Sequence, residues 1–332
     1  VTIHDRPTPR QRLEYATIKV VGRLVSLLPA VVGINAGLLL GAAAARLIPI
    51  RRKVVDANLR IAFGDSLDET ERARLVREAY KTLGMFAMES AYLRYASPEW
   101  VAGRVVEMEG FEAVQELLKG PRPVMTFSGH LGNWELLGAA GGRLFPSSPV
   151  AKPIHNRLLH EDTRFFRERH GLDIIWSDQP NTPRAILKAV RAGRVVHFFV
   201  DQDMRTSGIF VPFFGRPAST TPAPAVLALK TDALLVPAFL IRLGPTRHRM
   251  VFRPAIDPRT LKDVPRDERA AELTRRMVAE IEDMVRLYPA QYFWFHRRWK
   301  TTPEKVERRR ESQARRRQRK TGGQPAADSD PD

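Results

Sequence analysis

Between residues 124 and 254 the chain alternates strand and helix signals, and this constrains the fold more than any other feature. Apolar runs read as strands at 124–127, 149–152, 173–176, 195–200, 234–241 and 250–254. Amphipathic segments read as helices at 133–144, 156–170, 183–192 and 222–230. Such alternation requires crossover connections, so the expected fold is α/β: a mostly parallel central sheet flanked by helices. In open sheets of this kind ligands collect outside the carboxyl ends of the strands. The turns that follow 127 and 200 are therefore where chemistry should lie.

The first of those turns carries Gly129-His130-Leu131-Gly132-Asn133-Trp134-Glu135. His130 falls at the end of the strand and Glu135 in the first turn of the next helix, from where its carboxylate can reach back. A carboxylate on one ring nitrogen fixes the tautomer and stabilises the imidazolium, which makes the histidine a general base. The plainer reading is a surface histidine beside a Glu favoured by the helix dipole. The second turn carries Asp201-Gln202-Asp203, carboxylates that would meet the same crevice and pair with an arginine, hold a polar substrate or bind a metal. Between the turns lie Asn156, Arg157, Arg164, Arg167 and Arg169. Arg164 and Arg167 share a helix face, which can equally be solvated.

Composition removes several chemistries. The chain has no cysteine, hence no disulfide, thiolate metal site or cysteine nucleophile. It lacks a GxGxxG, a P-loop and a GxSxG elbow. An apolar fraction of 43% supports a substantial core, and a formal charge of +17 points to a polyanionic partner.

From Leu24 to Ala45 the chain is uncharged, bracketed by Arg23 and Arg46. At about 1.5 Å per residue this run is long enough to cross a bilayer. Pro29, Asn35 and three glycines weaken that reading in favour of a helix lying in the interface. A cleaved signal peptide is not expected, because the run starts late. Ile209 to Gly215 is apolar and either lines a groove or fills the core, and Ser219-Thr220-Thr221 before Pro222 reads as a helix start. Asp267 to Leu287 is amphipathic. Trp294 and Trp299, with Arg297, Arg298 and Lys300, suit either a membrane interface or, for Trp294, the core. Beyond Pro303, Arg308-Arg309-Arg310 and Arg315-Arg316-Arg317 mark a solvated, basic tail. The expected organisation is a membrane-associated segment over 1–50, a catalytic domain over 51–302 and a tail over 303–332.

Taken in order, these segments resemble the late acyltransferases of lipid A biosynthesis, a family whose broader membership includes phosphatidylinositol mannoside acyltransferases. His130 to Glu135 is similar to its HxxxxE signature. Lys152-Pro153 with Asn156, Arg167 to Gly171 (like RxxxG), Asp201-Gln202-Asp203 with Val211 to Gly215, and Tyr288 to Arg298 agree in order, as does the early Asn58-Leu59. The resemblance covers roughly residues 15–302. It implies a glycerolipid-acyltransferase-like fold with an N-terminal membrane helix. It also implies transfer of a fatty acyl group from acyl carrier protein, or coenzyme A in some members, to a glycolipid hydroxyl at the cytoplasmic face of the inner membrane.

In that reading His130 deprotonates the hydroxyl, Glu135 orients His130, and backbone N–H groups near Gly129 to Gly132 stabilise the oxyanion. Arg167 and Asp201 carry over as substrate-site residues, the arginine engaging an anionic head group or pairing with Asp201. Asn133 and Arg164 are further candidate substrate contacts, and a shift of register would put Arg164 or Arg169 in place of Arg167. No cofactor and no metal are expected. The implied partners are acyl carrier protein, the glycolipid acceptor and an anionic membrane surface. Specific nucleic-acid binding has only the charge in its favour and no recognised motif.

Overall fold

The computed structural model describes residues 7–48, 50–309 and 311–312. The basic run Arg315-Arg316-Arg317 and the end of the tail lie outside the described residues. Two helices open the chain, α1 (Pro9–Ser26) and α2 (Ala30–Leu47), so the uncharged run from Leu24 is divided rather than continuous. Pro29 is the residue that divides it: its fixed φ of −55° comes with an extended ψ of 132°, which cannot continue α1 but starts α2.

After α3 (Arg52–Phe63) comes the long α4 (Glu69–Leu93), begun by a reciprocal capping box between Asp68 and Glu71. Gly33, Gly37 and Gly41, spaced by four on α2, lie against Tyr92, Gly84 and Tyr80 of α4 so closely that a Cβ has no room. The glycines that weaken a span in the sequence are thus its packing face. Outside this contact α2 leaves Val31, Val32, Leu39, Leu40 and Leu47 exposed, and α1 exposes Leu13, Val20, Val21 and Leu24. By length and composition alone α2 is apolar enough to cross a membrane, with a mean hydropathy of 1.6.

The α/β part then runs α5 (Pro98–Ala102), β1 (Val105–Glu109), α6 (Phe111–Lys119), β2 (Val124–Ser128), α7 (Trp134–Leu144), β3 (Ser147–Ala151) and α8 (Arg157–Arg169). It continues through β4 (Ile175–Trp176), α9 (Thr182–Arg191), β5 (Val195–Phe199), β6 (Ile209–Phe213), β7 (Arg216–Thr220) and α10 (Ala223–Thr231). It ends with β8 (Leu234–Gly244), β9 (Arg247–Phe252) and α11 (Arg269–Leu287). Seven strands form one sheet in the order β1-β9-β8-β2-β5-β3-β4. The pairs from β8 to β4 are parallel, while β9 runs antiparallel to β8 and carries β1 alongside it. The α/β expectation of a mostly parallel sheet flanked by helices therefore holds.

Every residue of β2 is buried, because helices cover both faces of the sheet at its centre. Met125 and Phe127 pack into one core with Met277, Ile281 and Val285 of α11, whereas Val124 packs into a second with Leu136, Leu137 and Ala140 of α7.

One local expectation is corrected, and two that stood between alternatives are decided in favour of the core. Ser219 and Thr220 are fully buried in the β6–β7 hairpin and do not cap α10: Ser219 Oγ donates to Arg205 O and Thr220 Oγ1 accepts from Arg298. Only Thr221 Oγ1 bonds the first turn, accepting from Ala223 N at 3.3 Å. Ile209 to Phe213 is the partner strand of that hairpin, with Val211, Phe213 and Phe214 in the core. Trp294 is core as well, at 0% exposure, its indole N–H donated to Pro289 O.

Candidate active site

The register of two parallel strands builds the site. β2 and β5 pair Thr126 with His197 and Ser128 with Phe199. Carried two residues past the strand ends, the same register sets His130 beside Asp201. His130 Nδ1 lies 2.8 Å from Asp201 Oδ1, and the His130 backbone N–H donates to Asp201 Oδ2 at 2.7 Å. One buried carboxylate thus fixes both the ring and the turn that carries it.

With Nδ1–H given to Asp201, Nε2 keeps its lone pair and faces the cavity, 3.3 Å from the Gln202 side-chain amide. Phe199 and Trp134 flank the ring at 4.6 and 4.9 Å between centroids. Burial works to raise the Asp201 carboxyl. The His130 ring, the hydrogen bonds from His130 and the Arg298 guanidinium outweigh it and hold Asp201 below the usual carboxylate range. Arg298 is itself buried, its guanidinium donating to Ser219 O and Thr220 Oγ1.

Glu135 is engaged elsewhere. Its carboxylate takes two hydrogen bonds from Arg167 of α8, at 2.7 and 3.2 Å, in the forked geometry of a strong charged pair. The expected Glu135–His130 bond is therefore replaced by Asp201–His130, and of the two alternatives for Arg167 the pairing with Asp201 gives way to Arg167–Glu135. The physical reason lies in the helix start. Asn133 caps α7 by accepting from Glu135 N and Leu136 N, and α8 brings Arg167 to the first-turn carboxylate.

His130, Glu135 and Arg167 line one cavity of about 1080 Å³, and Asp201 stands directly behind His130. Asn133 and Arg164 are not among its lining residues. Asn133 is fully buried and donates to Glu89 Oε2 at 2.8 Å, within an ionic cluster that includes Arg242. Arg164 pairs with Glu161 and Glu168 on the outer face of its own helix. Arg169 bonds Ala96 O, which fixes Arg167 as the arginine of the cavity.

Of the backbone N–H groups from Gly129 to Gly132 expected to form an oxyanion hole, the last three are spent on the fold. His130 N goes to Asp201, Leu131 N to Gly129 O and Gly132 N to Gln291 O. Gly132 adopts a φ of +62° and abuts Leu240 O, an arrangement only glycine accepts. The Tyr288 to Arg298 segment supports this turn: Phe293 N donates to His130 O, and Leu131 bridges to Tyr292. Asn58 holds that segment from α3 through Trp294 O and His296 O. Sequence reasoning missed Gln202 and Lys152 as cavity groups and His197 on its floor. The alternation along β5 gave a usable signal for His197, a lone polar residue in an otherwise apolar strand. No group of three or more potential metal ligands occurs among the described residues.

Residues 6–301 match the family model for bacterial lipid A biosynthesis acyltransferases. Among curated relatives, the chain is 30% identical over 307 residues to the lipid A biosynthesis lauroyltransferase of Escherichia coli, covering 91% of this chain and 95% of that protein. It is 28% identical over 270 residues to the lipid A biosynthesis palmitoleoyltransferase of the same organism, 80% of this chain and 84% of that one. A phosphatidylinositol mannoside acyltransferase of Mycobacterium tuberculosis is 26% identical over 173 residues, about half of each chain. A His–Asp pair with a buried carboxylate at the end of a parallel strand, beside a large cavity, agrees with the reaction class these relatives share. The chain belongs to the bacterial lipid A biosynthesis acyltransferase family and is an acyltransferase.

Proposed function

We propose that the protein transfers a fatty acyl chain from the thioester of an acyl carrier protein to a hydroxyl of a lipid A precursor, with His130 as general base and Asp201 as the residue that orients it. The observation that carries this reading is the locked ring: Nδ1 on a buried carboxylate, Nε2 open to the cavity. A lipid hydroxyl is a poor nucleophile until its proton is removed as it attacks. His130 Nε2 takes that proton while the oxygen forms a bond to the thioester carbonyl carbon. The tetrahedral adduct then expels the thiolate, which recovers the proton from the imidazolium. An ester and a free thiol result, and no acyl-enzyme is needed.

Gln202, whose amide sits beside Nε2, is the side chain best placed to donate to the developing oxyanion. Arg167, paired with Glu135, and Lys152 supply positive charge at the cavity for the anionic groups of the acceptor. The exposed apolar faces of α1 and α2, flanked by Arg10, Arg12, Lys19 and Arg23, suit docking at the cytoplasmic face of an anionic inner membrane. The basic tail would add to that attraction.

The test is an assay of the purified full chain in vesicles with acyl-acyl carrier protein and a lipid A precursor. Mass spectrometry should find the precursor heavier by one ester-linked acyl chain. Transfer confined to acyl-coenzyme A and a mannosylated phosphoinositide would instead assign the other branch of the family, and transfer to neither acceptor would refute the proposal.

A further inference from the structure

Apolar space in the cavity has a definite source. α7 carries Glu135, Gly138 and Gly141 along one side, Phe145 follows directly after its end, and all four line the cavity. Glycine inside a helix is unfavourable for folding, so the helix itself gives no reason for them. What they provide is room. A Cβ built on Gly141 meets nothing within 4 Å, whereas one on Gly138 already touches Leu172 and one on Gly142 collides with His170 O.

Beneath this glycine strip lies the floor of the sheet, made by Thr126 of β2, His197 and Phe199 of β5 and Ala238 of β8. At the far end Phe145 meets Phe252, with Met250 beside them, and these close the lane. The near end is Phe199, packed against the His130 ring at a tilt of 36°. A carbonyl held at His130 Nε2 therefore has an apolar lane leading away from it under α7, in a cavity that also reaches Ile186 of α9 and Val226 and Leu227 of α10.

We propose that Gly141 sets the length of the acyl chain this enzyme transfers, by leaving the lane under α7 open as far as Phe145 and Phe252. This rests on the thioester-donor reading above and adds the residue that measures the donor. From Glu135 to Phe145 the helix advances about 15 Å. An extended chain advances about 3.5 Å per three bonds, so the lane holds a chain of about twelve to thirteen bonds. A large side chain at 141 would block the lane about 6 Å short of its end. That shortens the accommodated chain by about five carbons.

The experiment offers wild type, Gly141→Ala, Gly141→Leu and Gly141→Phe an equimolar series of saturated acyl-acyl carrier proteins and reads the ester products by mass spectrometry. In parallel, binding of free fatty acids of the same lengths is read on tryptophan fluorescence, since Trp134 lines the cavity. Gly141→Ala keeps the helix, alanine being the better helix former, and guards against a folding artefact. The expected result is a product optimum shifted to shorter chains in the order Ala, Leu, Phe. The ratio of kcat/KM for long over short donors should fall at least tenfold in Gly141→Leu. An unchanged length profile in folded variants, in products or in binding, overturns the proposal, as does selectivity that moves to the chains of the acceptor. The two readings separate cleanly. Length-graded fatty-acid binding without acyl transfer by wild type would refute the donor reaction and sustain Gly141; transfer with an immovable length profile would do the reverse.

Discussion

Asp201 and Glu135 reach the same cavity by different structural routes. Asp201 is 4% exposed and bonded to both the ring and the backbone of His130, and it stands where the β2–β5 register puts it. Glu135 is more open, sits in the first turn of α7, and is fixed only through Arg167 on a neighbouring helix. A carboxylate held by parallel-strand register is placed by the core of the sheet and has no freedom to relax. One held by a side chain on another helix can adjust with what enters the cavity. The first arrangement suits holding a base in one tautomer, and the second suits meeting substrates of variable shape.

Breaking each pair should therefore have unequal effects. Asp201→Asn keeps an acceptor for the His130 backbone N–H but turns a donor toward Nδ1, forcing the wrong tautomer. We expect kcat to fall by roughly 10³–10⁴-fold with KM little changed, measured in the vesicle assay. Glu135→Gln loosens Arg167 and leaves His130 on Asp201, so its loss should be about 10–100-fold and weighted toward KM for the acceptor. A double-mutant cycle sharpens the contrast. Glu135→Gln with Arg167→Met should couple by about 1–2 kcal/mol, whereas Glu135→Gln with Asp201→Asn should add within about 0.5 kcal/mol.

The same register makes a second pair, Thr126 Oγ1 to His197 Nδ1 at 2.8 Å, and this one is a stability element. Burial, reinforced by nearby His130, lowers the His197 pKa to about 4, so it stays neutral in the folded protein. An unfolded histidine titrates near 6.5. As pH falls from 6.5 toward 4 the unfolded chain takes a proton that the folded chain refuses, and stability present above 6.5 is lost. Between pH 7 and 5 this site should cost about 2 kcal/mol. Urea unfolding of His197→Phe should show that much less acid sensitivity than wild type. The smallest effect belongs to Arg164→Ala: with its charge spent on Glu161 and Glu168, acyl transfer should change less than about twofold and stability by under about 0.5 kcal/mol.

What could be read in the sequence followed locality. Apart from the β6–β7 hairpin, the strands and helices from 124 to 254 were legible because hydrophobic period and turn residues are local signals, and so was His130 at a strand end. The partner of His130 was not. Glu135 lies five residues away and invites a local pairing, while Asp201 is distant in the chain and is brought in only by β2–β5 register, which a single sequence does not specify. Asn133 shows the converse. As part of the motif it suggested substrate contact, yet its amide is divided between capping α7 and bonding Glu89, a residue on a helix that packs from elsewhere. Pro29 was legible as a weakness in the N-terminal run, but the packing role of Gly33, Gly37 and Gly41 required α4 to be in place.

The most direct test of Asp201 as the orienting residue is the tautomer of His130, read from long-range ¹⁵N–¹H correlations of its imidazole. The structure predicts a proton on Nδ1 and a bare Nε2 in wild type and in Glu135→Gln, with that pattern lost in Asp201→Asn. A proton on Nε2 in wild type, or loss of the Nδ1 proton when Glu135 alone is changed, would contradict it.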